Sequence, residues 1–182
     1  MSARYTFTLE SQERRRPMPR KIIIAQHETE TLAHIGLKLL AFLLFARERL
    51  QIETRLHNEN IPFIPDLVQL DYELRPALWV ECGECSIAKL DKLAVKAPEA
   101  EIWAVRRSLD EAEQLQHAMK KQALRCGRYG IVGLDAVFFD EFCAHIQERN
   151  TVTWMAGDFD PPAMQLDFNG LWFDTPFTVL RH

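Results

Sequence analysis

The chain has 182 residues, of which 47% are hydrophobic and 26% are charged, and its formal net charge at pH 7 is −4. This composition is typical of a globular domain with a full hydrophobic core, and it excludes a disordered chain. A strong non-specific duplex binder carries a broad basic surface. The acidic balance therefore confines any nucleic-acid contact to a small cationic cleft.

Neither a signal peptide nor a membrane span is predicted. The basic run 14–16 is followed by Pro17 and Pro19, and the longest apolar run, residues 39–46, is far shorter than the ~20 residues that span a bilayer. We therefore expect a soluble cytoplasmic protein with no membrane partner, and protein partners stay unknown. In a chain without a signal sequence, four cysteines are expected to be reduced thiols: Cys82, Cys85, Cys126 and Cys143.

The first third of the chain predicts two strands and one helix. Residues 5–9 and 21–25 alternate in polarity or are rich in β-branched side chains, which is typical of strands. Thr29 is a suitable helix cap, and apolar residues recur at helical spacing after it, so we predict a helix over residues 29–49. A polar linker over residues 53–60 follows.

The middle of the chain predicts a hairpin followed by a helix and a strand. The predicted strands 63–72 and 78–82 are separated by the short turn Arg75-Pro76, which favours an antiparallel pair. Apolar residues at helical spacing then predict a short amphipathic helix over residues 87–97. A further strand is predicted over residues 101–105.

The last part of the chain predicts two helices and then strands. Ser108 and Glu111 form a capping box, which predicts a helix from Ser108 to about Met119. A last helix is predicted over residues 137–149, and the clearest strands of the tail are residues 151–155 and 164–168. This mixed order predicts an α/β (α+β) fold in a single domain, residues 1–182. We expect a central mixed β-sheet flanked by helices, with the first helix on one face and strands from both termini in a second layer.

Three carboxylates stand where a charge is costly unless a cation or a hydrogen-bond donor compensates it. Glu30 is predicted in the first turn of an apolar helix, Asp66 follows Pro65 at the start of a strand, and Glu81 lies within the apolar strand 78–82. Two carboxylates on adjacent strands and a third from a helix predict a site for Mg²⁺, with Mn²⁺ as a substitute. Each acid also has a structural interpretation, as a turn residue for Asp66, a solvent-facing strand residue for Glu81 and a helix-dipole partner for Glu30.

A row of lysines follows the acids. Lys89, Lys92 and Lys96 lie on one face of the predicted helix 87–97. Such a row is often a solvated helix face. One of these ammonium groups could instead reach back over the carboxylates, where it would polarise a water molecule or hold a phosphate.

In these stretches the chain resembles the YaeQ family of small bacterial proteins, which is regarded as a branch of the PD-(D/E)XK nuclease-like fold. The resemblance covers about residues 25–107. The matching stretches are His27-Glu28-Thr29-Glu30-Thr31, Leu37-Lys38-Leu39-Leu40-Ala41-Phe42-Leu43, Pro65-Asp66-Leu67, Leu78-Trp79-Val80-Glu81-Cys82-Gly83 and Lys89-Leu90-Asp91-Lys92.

The resemblance implies a restriction-endonuclease-like core over about residues 25–107. By position, Glu30 would be the helix glutamate, Asp66 the central metal carboxylate and Glu81 the acid of the (D/E)XK strand. The lysine of the general nuclease pattern would stand two residues after Glu81, where this chain has Gly83. The lysine of the YaeQ pattern falls on Lys92, with Lys89 and Glu84 as reserve members of the site.

These observations leave three functional hypotheses. The first is a Mg²⁺-dependent nuclease or phosphodiesterase with Glu30, Asp66, Glu81 and Lys92 as catalytic residues. In it, Glu30, Asp66 and Glu81 would hold the metal. The second is a catalytically degenerate regulatory module of the same fold that binds nucleic acid or protein. The third is a redox or zinc protein using Cys82 and Cys85, although a single CxxC is only half of a zinc site and ordinary thiols are the expected interpretation.

Overall fold

In the computed structural model, which describes residues 2–182, ten strands form one mixed sheet with four helices packed on its two faces. The strands are β1 (Arg4–Ser11), β2 (Lys21–Ala25), β3 (Leu50–Ile52), β4 (Leu67–Leu70), β5 (Pro76–Cys82), β6 (Glu101–Arg106), β7 (Tyr129–Leu134), β8 (Arg149–Phe159), β9 (Pro162–Phe168) and β10 (Leu171–Arg181). The helices are α1 (Leu32–Leu44), α2 (Ile87–Lys96), α3 (Leu109–Lys121) and α4 (Ala136–Ala144). The strand order is β2-β1-β8-β9-β10-β7-β6-β5-β4-β3, so the predicted mixed α+β architecture is confirmed.

The sheet combines a parallel centre with antiparallel arms. Strands β5, β6 and β7 run parallel, with α2 and α3 as the crossovers between them. Strands β4 and β5 are antiparallel, with Leu67 opposite Val80, as predicted for this hairpin. The strands from both termini continue the same sheet through the β10–β7 pair and do not form a separate second sheet.

Helix α1 is the element around which the sheet curls. Ten of its thirteen residues are buried, and it packs against strands from both halves of the strand order, including the two edge strands β2 and β3. The larger core lies between this face of the sheet, α1 and α4. A second core lies between the opposite face of the sheet, α2 and α3.

The predicted helix 29–49 is wrong at both ends. Helix α1 begins after Thr31, whose hydroxyl accepts a hydrogen bond from the backbone N–H of His34. Glu30 therefore lies one residue before the cap and not in the first turn. The helix ends at Leu44, where the Arg16 guanidinium donates to the last carbonyl oxygens, those of Leu43 at 2.8 Å and Leu44 at 3.0 Å.

The predicted helix 137–149 also ends early, because a side chain far along the chain turns the backbone. The Asn150 amide accepts a hydrogen bond from the backbone N–H of Gln147 and donates to the carbonyl of the same residue. Helix α4 consequently stops at Ala144 and β8 begins at Arg149. The third helix begins as predicted, since the Ser108 hydroxyl accepts from a backbone N–H of the first turn.

Three strand predictions also need correction. The predicted strand 63–72 is shorter, since only Leu67–Leu70 pairs as β4. Strand β3 was not predicted because its three residues are followed by a polar segment. Strand β7 was not predicted because Gly130 and Gly133 lower its β-propensity.

No helix among residues 2–182 is long and apolar enough to cross a membrane. All four cysteines are free thiols, of which Cys82 is buried and Cys126 is exposed.

Replacing Arg16 tests whether the end of α1 depends on this one guanidinium. The side chain is 15% exposed and donates to three backbone carbonyls, those of Leu43, Leu44 and Gly157. Arg16→Met keeps most of the volume but removes every donor. We expect it to lower the free energy of unfolding by about 2 kcal/mol in urea titrations. Arg15→Met, at an exposed neighbour, is the control, and equal losses for both variants would contradict the prediction.

Candidate functional site

The candidate site forms where the segment before α1 meets one end of the β4–β5 pair. Glu30 directly precedes the cap of α1. Asp66 directly precedes β4, and Glu81 is the last residue but one of β5. Because β4 and β5 are antiparallel, the start of one strand and the end of the other lie at the same edge. The three predicted acids therefore come from three separate segments to one end of the sheet.

A buried lysine from α1 holds two of the nearby carboxylates. The Lys38 side chain is 0% exposed, and its ammonium contacts Glu30 Oε1 at 2.5 Å and also contacts Glu53 Oε1. The other oxygen of Glu30 accepts a hydrogen bond from the backbone N–H of His27. Burial acts to raise the pKa of Glu30, but the hydrogen bonds from Lys38 and His27 outweigh it and leave that pKa below its ordinary value. Burial acts to lower the pKa of Lys38, and the two carboxylates raise it overall.

Asp66 and Glu30 face the same imidazole. Asp66 Oδ2 accepts a hydrogen bond of 2.7 Å from the backbone N–H of Cys82, which fixes the carboxylate. Its Oδ1 lies 3.5 Å from His34 Nε2, and Glu30 Oε1 lies 3.4 Å from His34 Nδ1. Both separations are longer than an ordinary N–H···O bond. His34 Nε2 is buried without a hydrogen-bond partner, so the imidazole stands between two carboxylates without being locked by either.

Glu81 has a different environment, on the side of α2. Its Oε1 accepts a 2.7 Å hydrogen bond from the Trp79 indole N–H and lies 2.7 Å from the Lys89 ammonium. Burial raises the pKa of Glu81 and the Asp66 carboxylate adds to the rise, while Lys89 and Trp79 oppose it without cancelling it. Glu81 therefore anchors Lys89 within a largely dry part of the site.

The lysine that contacts Glu81 is Lys89 and not Lys92. Helix α2 begins beside the end of β5, so a lysine in its first turn reaches the carboxylate. Lys92 is exposed and makes no ion pair with any residue in the described range 2–182. Glu84, the other reserve residue, is exposed and lines the neighbouring cleft. The catalytic roles of both lysines stay predictions.

Two groups of side chains bring potential metal ligands within 4.8 Å of one another. One group is Glu30, His34 and Asp66, and the other is His27, Glu30 and Glu53. In the part of the chain that the structure describes, Glu81 belongs to neither group, so its role as a metal ligand stays a prediction. Carboxylate oxygens with an imidazole are a donor set that suits a divalent cation.

The sequence analysis missed His34, Lys38 and Glu53. For Lys38 the signal was a charge inside the apolar run of α1, and for His34 it was the spacing of four residues from Glu30. Glu53 carried no signal, since it stands in the segment predicted as a linker and adopts a positive φ of 49° directly after β3.

A cleft of about 410 Å³ opens beside this group. It is lined by Glu30, His34, Cys82, Gly83, Arg107 and Glu111, among others. Gly83 has a φ of +81°, a conformation that strains any residue with a side chain. The position where the general nuclease pattern has its lysine is therefore unsuited to a lysine in this chain.

The YaeQ protein family model matches residues 3–159. The chain belongs to the YaeQ family. Crystal structures of two YaeQ proteins share the fold. One, from Xanthomonas axonopodis pv. citri, has 23% identity and a TM-score of 0.72, with 99% of this chain and 97% of that chain covered. The other, from Pseudomonas syringae, has 17% identity and a TM-score of 0.75, with 100% of this chain and 97% of that chain covered. No curated protein matches the chain.

The thiols of this YaeQ protein lie in surroundings that favour the neutral form. Burial raises the pKa of Cys85 to about 11, with the Glu81 carboxylate adding to it, and raises the pKa of Cys82 well above its ordinary value. Within residues 2–182, no cysteine belongs to a group of close metal ligands. Since thiolates are the reactive and metal-binding form, these surroundings argue against the redox or zinc hypothesis.

Lys38→Met tests the buried ion pair. At pH 7 the change leaves Glu30 and Glu53 without their cation, and we expect the free energy of unfolding to fall by roughly 3–5 kcal/mol. At pH 5 the loss should be smaller, because the unpaired carboxylates can take up protons. In the unchanged protein the sign is opposite. The lowered pKa of Glu30 gives stability that is present above pH 4.5 and is lost as the pH falls below it.

Urea titrations of both proteins at pH 7 and pH 5 measure these differences. Lys92→Met, at an exposed lysine, is the control and should change stability by less than about 0.5 kcal/mol. A Lys38→Met loss that grows between pH 7 and pH 5 would contradict the assignment of Lys38 to the two carboxylates.

Proposed function

We propose that this YaeQ protein is a metal-dependent phosphodiesterase that acts on nucleic acid through a PD-(D/E)XK-like site. The observation that carries the proposal is the convergence of Glu30, Asp66 and Glu81 at one end of the sheet, with the Lys89 ammonium 2.7 Å from Glu81. An antiparallel hairpin, a helix and a parallel strand (β4, β5, α2 and β6) surround this point. The order of acids and lysine agrees with the resemblance to the nuclease-like fold.

The residues present suit a divalent cation, either Mg²⁺ or Mn²⁺. Glu30 and Asp66 offer oxygen ligands, and Glu81 is the third carboxylate of the predicted set. The low pKa of Glu30 keeps it ionised near neutral pH, as a ligand must be. When bound, a divalent cation supplies a Lewis acid that polarises a phosphoryl oxygen.

Lys89 supplies the positive charge that the chain itself can place near a phosphate. Its ammonium is held by Glu81 and lies 5.5 Å from the Phe63 ring centroid, so its position is defined from two sides. There it donates hydrogen bonds to a phosphate oxygen and stabilises the negative charge that develops when water attacks phosphorus. The leaving oxygen departs with the electron pair of the broken P–O bond.

The cleft is the local cationic region that an acidic protein needs in order to bind a polyanion. Arg107 lines it and is paired with Glu111 at 2.6 Å, so a phosphate group can compete for a guanidinium that is already positioned. Arg106 lies beside it, with its Nε buried and without a hydrogen-bond partner.

Cleavage of labelled single- and double-stranded DNA and RNA with Mg²⁺ or Mn²⁺ tests the proposal. Asp66→Asn should abolish cleavage, because it removes a metal ligand while nearly keeping the volume. Lys89→Met should slow cleavage by roughly 10²-fold or more, whereas Lys92→Met should leave it within about 3-fold. Cleavage that survives Asp66→Asn would come from another protein or another site. Loss with Lys92→Met alone would return the catalytic role to Lys92.

The second candidate is a binding module of the same fold without turnover. The observation that favours it is that protein ammonium groups already contact three carboxylates, since Lys38 meets Glu30 and Glu53 and Lys89 meets Glu81. Such a module needs no metal to offset these charges. It would bind nucleic acid or protein through the cleft without changing it.

Melting curves with and without Mn²⁺ separate the two candidates. A metal that binds only the folded state stabilises it by about 2.7 kcal/mol at one hundred times its dissociation constant. For the enzyme we expect Mn²⁺ to raise the Tm and Asp66→Asn to remove that rise. For the module we expect no rise in either protein. In that case, cleavage should also be absent at every metal concentration.

A further inference from the structure

We infer that the metal site of this protein selects a divalent transition-metal ion such as Mn²⁺ over Mg²⁺, because His34 supplies an imidazole ligand between Glu30 and Asp66. The inference rests on the proposed function for the presence of a metal. It goes beyond that function in naming a ligand outside the predicted set and the class of ion that the ligand selects.

The two candidate ligand groups differ in whether the protein already fills them with a cation. His27, Glu30 and Glu53 surround a position where the Lys38 ammonium contacts both carboxylates. An ion placed there would have to displace a lysine that is buried and doubly paired. The group of Glu30, His34 and Asp66 contains no ammonium, so it is the group that is open to a metal.

The imidazole of His34 is positioned as a ligand would be. Its Nε2 is buried without a hydrogen-bond partner and lies 3.5 Å from Asp66 Oδ1. Ligand atoms that share one ion at ~2.1 Å are separated by roughly 3–3.5 Å, so this gap is too long for a hydrogen bond and suitable for a shared ion. The backbone N–H of Cys82 fixes Asp66, and the position of His34 in the first turn of α1 fixes the imidazole.

The charges of the site also call for one divalent cation. Four carboxylates lie within it, and two ammonium groups contact three of them, which leaves two negative charges unbalanced. The carboxylates belong to Glu30, Glu53, Asp66 and Glu81, and the ammonium groups to Lys38 and Lys89. Of the four, Asp66 is the carboxylate with no ammonium contact, and it is the one that faces His34.

The ligand types decide which ion is preferred. Mg²⁺ takes oxygen ligands and gives up its water reluctantly, so a nitrogen ligand adds little to its binding. Imidazole suits the first-row transition metals, whose affinity for mixed nitrogen and oxygen sites exceeds that of the alkaline-earth ions. A site of two carboxylates and one imidazole should therefore discriminate between Mn²⁺ and Mg²⁺ through His34.

The test measures the dissociation constants of Mn²⁺ and Mg²⁺ by calorimetry on full-length protein stripped with a chelator and held without substrate. For the unchanged protein we expect a Mn²⁺ constant at least about 10-fold below that of Mg²⁺. His34→Gln should raise the Mn²⁺ constant by about 10- to 100-fold and leave the Mg²⁺ constant within about 3-fold. His27→Gln is the matched control from the other group and should leave both constants unchanged.

A second variant guards against a simple loss of folding. His34→Asp replaces the nitrogen ligand by an oxygen ligand, so the ratio of the two constants should move toward one even if both constants change. The inference is overturned if the unchanged protein does not prefer Mn²⁺ or if neither variant changes the ratio. It is equally overturned if His27→Gln weakens Mn²⁺ as much as His34→Gln does.

These measurements also keep the metal site and the proposed activity apart. Selective Mn²⁺ binding through His34 with no cleavage of any nucleic acid would support the site and remove the phosphodiesterase. Cleavage with equal binding of both ions would support the phosphodiesterase and remove the role of His34.

Discussion

A single buried charge, the ammonium of Lys38, determines how the segments around the candidate site are arranged. It lies in the middle of α1 and is fully buried, so its charge must be compensated inside the protein. The compensation comes from Glu30 before the helix and Glu53 after β3. The backbone N–H of Glu53 donates to the carbonyl of Asp66 at 2.9 Å, which extends the β3–β4 pairing. One ion-pair network thus brings the two acidic segments to the same end of the sheet.

Glu30 and Glu81 lie near each other and yet their proton affinities differ in opposite directions. For Glu30, the hydrogen bonds from Lys38 and His27 outweigh the effect of burial, and its pKa is lowered. For Glu81, burial inside β5 outweighs the contact with Lys89, and its pKa is raised. Carboxylates whose pKa values are separated by their surroundings suit different roles. Glu30 suits a cation ligand, since it stays ionised, whereas Glu81 suits the positioning of Lys89.

The sequence was sufficient to predict the elements that local pattern controls and insufficient for features that depend on distant residues. The acids Glu30, Asp66 and Glu81 were visible because they interrupt apolar runs or follow a proline. The end of α1 depends on Arg16, which is close in space and 28 residues away from Leu44 in the chain. Strand β7 contains Gly130 because a Cβ there would approach the Trp103 ring to 2.5 Å, and this tertiary demand hides the strand from propensity.

The displaced lysine has a backbone explanation. Gly83, where the general nuclease pattern places lysine, turns the chain out of β5 with a φ of +81° and offers its carbonyl to the Arg106 guanidinium at 3.2 Å. A side chain at this position would be strained and would begin from a backbone that has already left the strand direction. Helix α2 begins shortly after, capped by Ser86, and its first turn carries Lys89 to Glu81. The ammonium–carboxylate contact is thus formed by a helix, so the position of the lysine depends on how α2 packs and not on the pleat of β5.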